Sequence, residues 1–201
     1  MNQNVYEAPK AKLVEEEEKR PFYLVSLKKF LILYILTFSM YEIYWFYKNW
    51  ALQKEFHESK IWPIPRAIFS VFFTHSLFHR INSSLEEKDE SSKWNHAPLA
   101  TGIVAMALVD RIFDKVVERI IGETPFMFLS MIFVFVGAWL FYQAQQKINI
   151  VCDSPEGVEN SNITPANIVW IILGSLLWML FLFATAVTIY PDLALDLNFQ
   201  D

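Results

Sequence analysis

Apolar residues gather into five long runs along this chain, separated by polar connectors and preceded by a polar head. Three runs read as helices able to cross a bilayer. Phe30–Trp50 opens with Leu31-Ile32-Leu33-Tyr34-Ile35-Leu36 behind Lys28 and Lys29. Phe126–Gln146 carries no charge, nor does Ala166–Tyr190, which Pro165 and Pro191 bracket. At 1.5 Å per helical residue, such runs reach about 31–37 Å against a hydrocarbon core of about 30 Å. Tyr41, Tyr44, Trp45, Tyr47 and Trp50 crowd one end of the first run, as an interfacial aromatic belt would, with Lys48 placed to snorkel.

Charge compromises the other two runs. Ile61–Ile81 has Arg66 near its start and His75, His79 and Arg80 near its end, not confined to one helical face; this favours a short span with polar ends. Ala97–Ile121 is a hybrid. Ala97–Val109 is uncharged but too short to cross alone, and the remainder is amphipathic. There Ile112, Phe113, Val116, Val117, Ile120 and Ile121 share one face, and Asp110, Arg111, Asp114, Lys115, Glu118 and Arg119 take the other. This run either crosses with its charged face inside the bundle or lies on the membrane surface. Gly122 and Pro125 end it.

The pattern predicts an all-α fold, an integral membrane bundle of five membrane-embedded helices, four or five of them crossing. Residues 1–27 form a disordered cytoplasmic tail, 28–191 the membrane helical domain, and 192–201 a short C-terminal tail. The helices fall at about 30–50, 61–81, 97–121, 126–146 and 166–190. Residues 82–96 and 147–165 have connector composition. The tail, with Glu15, Glu16, Glu17 and Glu18, has too little apolar surface to repay ordering and lacks the form of a signal peptide.

Composition narrows the function classes. Hydrophobic residues make up 54% and charged residues 19%, and mean hydropathy is +0.25, unlike an ordinary soluble globule. One cysteine excludes a disulfide scaffold, and five glycines include no phosphate-cradling loop. A net charge of −5 argues against nucleic acid as a partner. With five crossings and the N-terminus inside, ten Lys and Arg lie inside and seven outside; leaving 97–121 on the inner surface makes this twelve and five. The bias places the N-terminus in the cytoplasm.

Phe22-Tyr23-Leu24-Val25-Ser26, Lys28-Lys29-Phe30 and the block Tyr41-x-x-Tyr44-Trp45-Phe46-Tyr47-Lys48-Asn49-Trp50 resemble an uncharacterised family of small multi-pass bacterial inner-membrane proteins. In that family a Y-x-x-Y-W-F-Y-K/R-N-W signature closes the first span. The likeness continues, in blocks, through Ile61-Trp62-Pro63, Arg66-Ala67-Ile68-Phe69, Thr74-His75-Ser76-Leu77-Phe78, Gln146-Lys147-Ile148-Asn149 and Asn167–Gly174. It implies a multi-pass protein of the bacterial inner membrane and no particular activity. Glu42 stands where the signature has a small residue.

Few residues are candidates for chemistry. Glu42 lies within a run read as a span, where an ionisable group is expensive and usually faces a bundle interior; it could carry a proton, bind a cation or pair with Arg66 or His75. Its structural alternative is a carboxyl at the interface beside Tyr41 and Tyr44. His75 and His79, one helical turn apart, could share a metal with Asp110 and Asp114, but H-E-x-x-H is absent and interfacial histidines are the plainer reading. The acidic stripe likewise reads first as a solvated face. No nucleophile has a base at a recognisable spacing, and no cofactor signature is present. The leading function is a non-enzymatic membrane protein acting through helix packing with a partner or with itself. A small transporter or channel using Glu42 and His75 is the alternative, and a metal-dependent membrane enzyme the third. The partners expected are the lipid bilayer and a membrane protein or second copy.

Overall fold

The computed structural model describes the backbone of residues 19–89, 94–121 and 123–192, and their side chains outside 110–126. Within these residues the protein is all-helical: α1 (Leu27–Leu36), α2 (Tyr41–Phe56), α3 (Pro63–Ile68), α4 (Ser70–Lys88), α5 (His96–Ile121), α6 (Glu123–Val151) and α7 (Pro165–Ile189). One 3-10 turn, Val158–Asn160, precedes α7. Two helices, Met127–Val151 within α6 and the whole of α7, are long and apolar enough to cross a membrane. The all-α class is therefore present, but among the described residues only two of the five expected membrane helices meet that test.

The largest departure is in Phe30–Trp50, expected as one crossing helix. The chain instead makes a helical hairpin. Ser26 caps α1 by accepting from the Lys29 N–H at 3.3 Å, and α1 stops after ten residues, about 15 Å. Phe38 and Ser39 adopt left-handed conformations (φ 54° and 61°), which turns the chain back on itself. The Ser39 N–H returns to the Tyr34 carbonyl at 2.9 Å. Thr37 ties the two arms, its hydroxyl donating to the Leu33 carbonyl at 2.7 Å and accepting from the Tyr41 N–H at 3.0 Å. Two non-glycine residues in this region cost on the order of 1–3 kcal/mol each. The Phe38 ring packs against Trp178 and Phe181 of α7 at 4.8 and 5.5 Å, and this contact holds the turn. The arms are antiparallel: Phe30 meets Tyr41 at 5.8 Å and Trp45 at 6.5 Å. Hydropathy cannot distinguish one apolar crossing from a half-length hairpin of the same composition.

The Ile61–Ile81 run is also divided. Pro63 and Pro65 start α3, the helix breaks at Phe69 (φ −99°, ψ 39°), and α4 then runs to Lys88, through half of the expected connector. Near the break, Ser70 reaches Glu42, so the second corner abuts the first. The other runs are single helices: α5 over the run expected at 97–121, α6 longer at both ends than 126–146, and α7 within one residue of 166–190. Thr164 and Asn167 form a capping box at the start of α7, with Pro165 in its first turn.

The tail boundary is corrected as well. Residues 1–18 and 193–201 lie outside the described residues, but 19–26 are part of the fold, with Phe22 and Val25 fully buried. These residues, the ends of α2, α4 and α6 and the start of α7 share one end of the bundle, the base. Gln53 reaches Pro21 there, Lys88 reaches Asp153, and Lys29 reaches Asn160 and Asn162. The core sits in the base half, among Phe22, Phe30, Tyr34, Trp45, Phe46, Trp50, Leu77, Phe78, Ile81 and Phe141.

The hairpin turn meets both long helices near their middles, at glycines. The Tyr34 hydroxyl is 2.6 Å from where a Cβ on Gly137 would lie, and the Leu36 carbonyl and Thr37 backbone fill that place at Gly174. Beyond this level, among the described residues, α5, α6 and α7 continue, with Met106 of α5 also against Gly137.

Candidate functional site

The largest polar constellation described is at the base, where side-chain amides hold the non-helical segment 21–26. Such a segment inside a helical bundle has backbone donors and acceptors that no helix satisfies. Gln53 donates to the Pro21 carbonyl at 2.9 Å, Gln145 to Tyr23 at 3.1 Å, Asn160 to Leu24 at 2.8 Å and Asn149 to Val25 at 3.0 Å. Asn49 accepts from the Tyr23 N–H at 3.1 Å. Gln145 also accepts from the Trp45 indole at 2.6 Å and donates to Asn149 at 2.7 Å. Asn49, Gln53, Gln145 and Asn149 are all buried. Sequence reading missed this network, although its trace is visible: Asn49/Gln53 and Gln145/Asn149 are each an amide pair at i, i+4, one stripe of a helix.

The sequence-derived candidates go to separate neighbourhoods. Glu42, in the first turn of α2, is half-buried and accepts from the Tyr34 hydroxyl at 3.5 Å and the Ser70 hydroxyl at 3.4 Å. Arg66 stacks instead on Trp50, its Cζ 4.3 Å from the ring centroid, and on Phe73 at 5.0 Å. Burial, then the charge of Arg80, holds the Arg66 pKa below its usual value. His75 is exposed and lies 3.1 Å from the Thr101 hydroxyl. His79 meets His96, ring to ring, at 5.7 Å. Asp110 and Asp114 belong to α5, but their side chains lie outside the described residues, as does the four-ligand metal arrangement built on them. Among the described residues no cluster of three or more His, Cys, Asp or Glu could hold a metal.

Trp50 is the centre of a second constellation. Arg80 lies over the same ring at 5.7 Å and donates to Gln53 at 3.2 Å. Trp50 is fully buried, and its indole N–H has no acceptor among the described residues, a loss of about 1–3 kcal/mol for an unsatisfied donor.

Two hollows flank the hairpin. An apolar groove of about 480 Å³ lies between α1–α2, α3 and the start of α7, lined by residues that include Leu33, Met40, Ile43, Ile68 and Trp170. A polar cleft of about 660 Å³ at the base includes Lys19, Arg20, Lys48, Glu55 and Glu159. Arg20 pairs with Glu159 there at 3.7 Å. A hydrogen bond from Ser154 holds the Glu159 carboxyl below its usual pKa. Burial lowers the Lys29 pKa and pushes the Cys152 thiol up to about 11, so Cys152, which donates to the Phe22 carbonyl, is no nucleophile.

The arrangement therefore offers packing surfaces, a fixed amide network and stacked cations, but no assembled acid–base or nucleophilic machinery among the described residues. No family model, no curated protein and no solved structure matches the chain.

Proposed function

We propose that this is an integral membrane protein of the bacterial inner membrane that acts without catalysis, through packing of its helices with a membrane partner or a second copy. The observation that carries this reading is α7. Its most apolar 18-residue stretch has a mean hydropathy of 2.3, yet only 6% of that stretch is buried among the described residues. A core helix of a soluble protein is equally apolar but buried. An unburied one needs lipid or another apolar surface around it. Only one stripe, including Gly174 and Trp178, meets the hairpin. Ile172, Leu176, Met179, Leu180 and Phe183 stay exposed.

In this reading α5, α6 and α7 cross the membrane, while the α1–α2 hairpin and the α3–α4 corner enter from the base and stop at mid-depth. Charge supports the orientation. Lys19, Arg20, Lys28, Lys29, Lys48, Lys54, Lys60, Lys88 and Lys147 belong to the base half, whereas Arg111, Lys115 and Arg119 occupy the part of α5 beyond the hairpin turn. The base then faces the cytoplasm. Non-helical backbone at segment 21–26 is compatible with membrane proximity because buried amides satisfy it.

Alkaline carbonate extraction and crosslinking in native membranes test this reading. The chain is expected to stay in the pellet and to crosslink to itself or to a discrete neighbour. Release into the supernatant, or monomers alone after crosslinking, would contradict it.

A further inference from the structure

We propose that Arg66 and Arg80 form a binding site for the phosphate of an anionic phospholipid; this rests on the membrane reading above. Both guanidinium groups lie over the Trp50 ring, with Cζ 4.3 and 5.7 Å from its centroid, and Arg66 also lies 5.0 Å from the Phe73 ring centroid. A cation–π contact consumes no N–H group, so the planar fork that suits phosphate oxygens remains for acceptors. Arg80 gives one edge to Gln53 at 3.2 Å, which fixes its orientation. Arg66 has no hydrogen-bond acceptor among the described residues, and neither arginine has a carboxylate partner among them. The Trp50 ring under the pair is fully buried, and its indole N–H has no acceptor among the described residues. Two like charges are thus held together by α2, α3 and α4 with donors and no anion, an arrangement that an added phosphate would relieve.

The surroundings favour a lipid over a free anion. Arg80 is at the base level through Gln53, while α4 begins at mid-depth, where Ser70 meets Glu42. Toward that end the corner exposes Phe69 (54%) and Phe72 (78%), with Trp62 (74%) at the start of α3. A headgroup on the arginine pair would therefore direct its acyl chains along exposed apolar side chains toward mid-depth. Inorganic phosphate gains nothing from these side chains. Basic pockets between membrane helices on the cytoplasmic side are suited to anionic headgroups.

Native mass spectrometry of the purified full chain in non-ionic detergent tests the site, with phosphatidylglycerol, phosphatidylcholine of matched chains and inorganic phosphate as probes. Phosphatidylglycerol is expected to bind about tenfold more tightly than phosphatidylcholine, whose phosphate is the same but whose choline cation the arginine pair repels. The R66Q/R80Q variant is expected to lose that preference, and K48Q, altered away from the pair, to keep it. If R66Q/R80Q fails to fold, R66K/R80K decides: retaining charge without the stacked fork, it is expected to lose about threefold or more of the preference. Equal binding of the two lipids by the parent, or a preference that survives in a folded R66Q/R80Q or undiminished in R66K/R80K, would overturn the proposal. Displacement of phosphatidylglycerol by millimolar phosphate would overturn the lipid assignment in favour of a soluble anion, and a protein crosslinked through position 66 with no lipid preference would assign the pair to a protein carboxylate. Micelle binding does not require a crossing topology. Carbonate release would therefore count against the membrane reading alone, and lost lipid preference in an inserted protein against this site alone.

Discussion

Trp178, near the middle of α7, donates its indole N–H to the Ile35 carbonyl in the last turn of α1 at 2.8 Å. That carbonyl also accepts from the Phe38 N–H at 3.1 Å, so one oxygen at the end of α1 closes the turn and joins it to the long helix. Replacing Trp178 with Phe keeps an aromatic ring and removes the donor. A loss of about 1 kcal/mol is expected, read as a lower thermal midpoint in detergent. Gly174→Ala should cost more, about 1–3 kcal/mol, because the added methyl meets the Leu36 and Thr37 backbone rather than a movable side chain.

The base network makes a contrasting pair of predictions within one helix. Gln145→Leu leaves the Trp45 indole and the Tyr23 carbonyl unpaired, at about 1–3 kcal/mol for each group that water cannot reach. Gln143, two residues earlier, has a buried side-chain N–H with no partner among the described residues. Gln143→Leu removes that unsatisfied donor and is expected to be neutral or stabilising. Denaturant unfolding of the two variants in the same detergent checks the difference.

Cys152 should react slowly. With its thiol raised to about 11, little thiolate exists at neutral pH, and labelling of the folded protein is expected to climb about tenfold per pH unit toward that value. Stability follows the same shift. The folded pKa lies above the ordinary value of 9.0, so the contribution is complete below pH 9 and is lost as pH rises toward about 11. Maleimide labelling against pH, with and without denaturant, measures both; fast labelling of the folded chain at pH 7 would show the thiol to be accessible.

Much of the helix content was legible because uninterrupted apolar runs such as Ala166–Tyr190 have no competing solution. The hairpin was not. Leu31–Leu36 and Tyr41–Trp50 have the composition of one span, and the turn between them contains Phe38 and Ser39 rather than Gly or Pro. What fixes that turn is tertiary: the side chain of Thr37 and the rings of Trp178 and Phe181, remote in sequence. The same holds for Arg66. The sequence marked it as an unusual charge in an apolar run, but its place over Trp50 depends on α3 folding back onto α2. The order in residues 19–26 depends on amides from α2, α6 and the 3-10 turn before α7, which no local pattern reveals.

The half-depth hairpin is the central claim, and the sidedness of single cysteines tests it most directly. In a Cys152→Ser background, a cysteine replaces Lys28, Lys60, Glu156 or Tyr190, each exposed, and an impermeant maleimide is applied from one side of sealed vesicles. Positions 28, 60 and 156 are expected to label from the same side, and position 190 from the opposite one. Labelling of 28 and 60 from opposite sides would mean that residues 30–50 cross the membrane as one helix, and would contradict the hairpin.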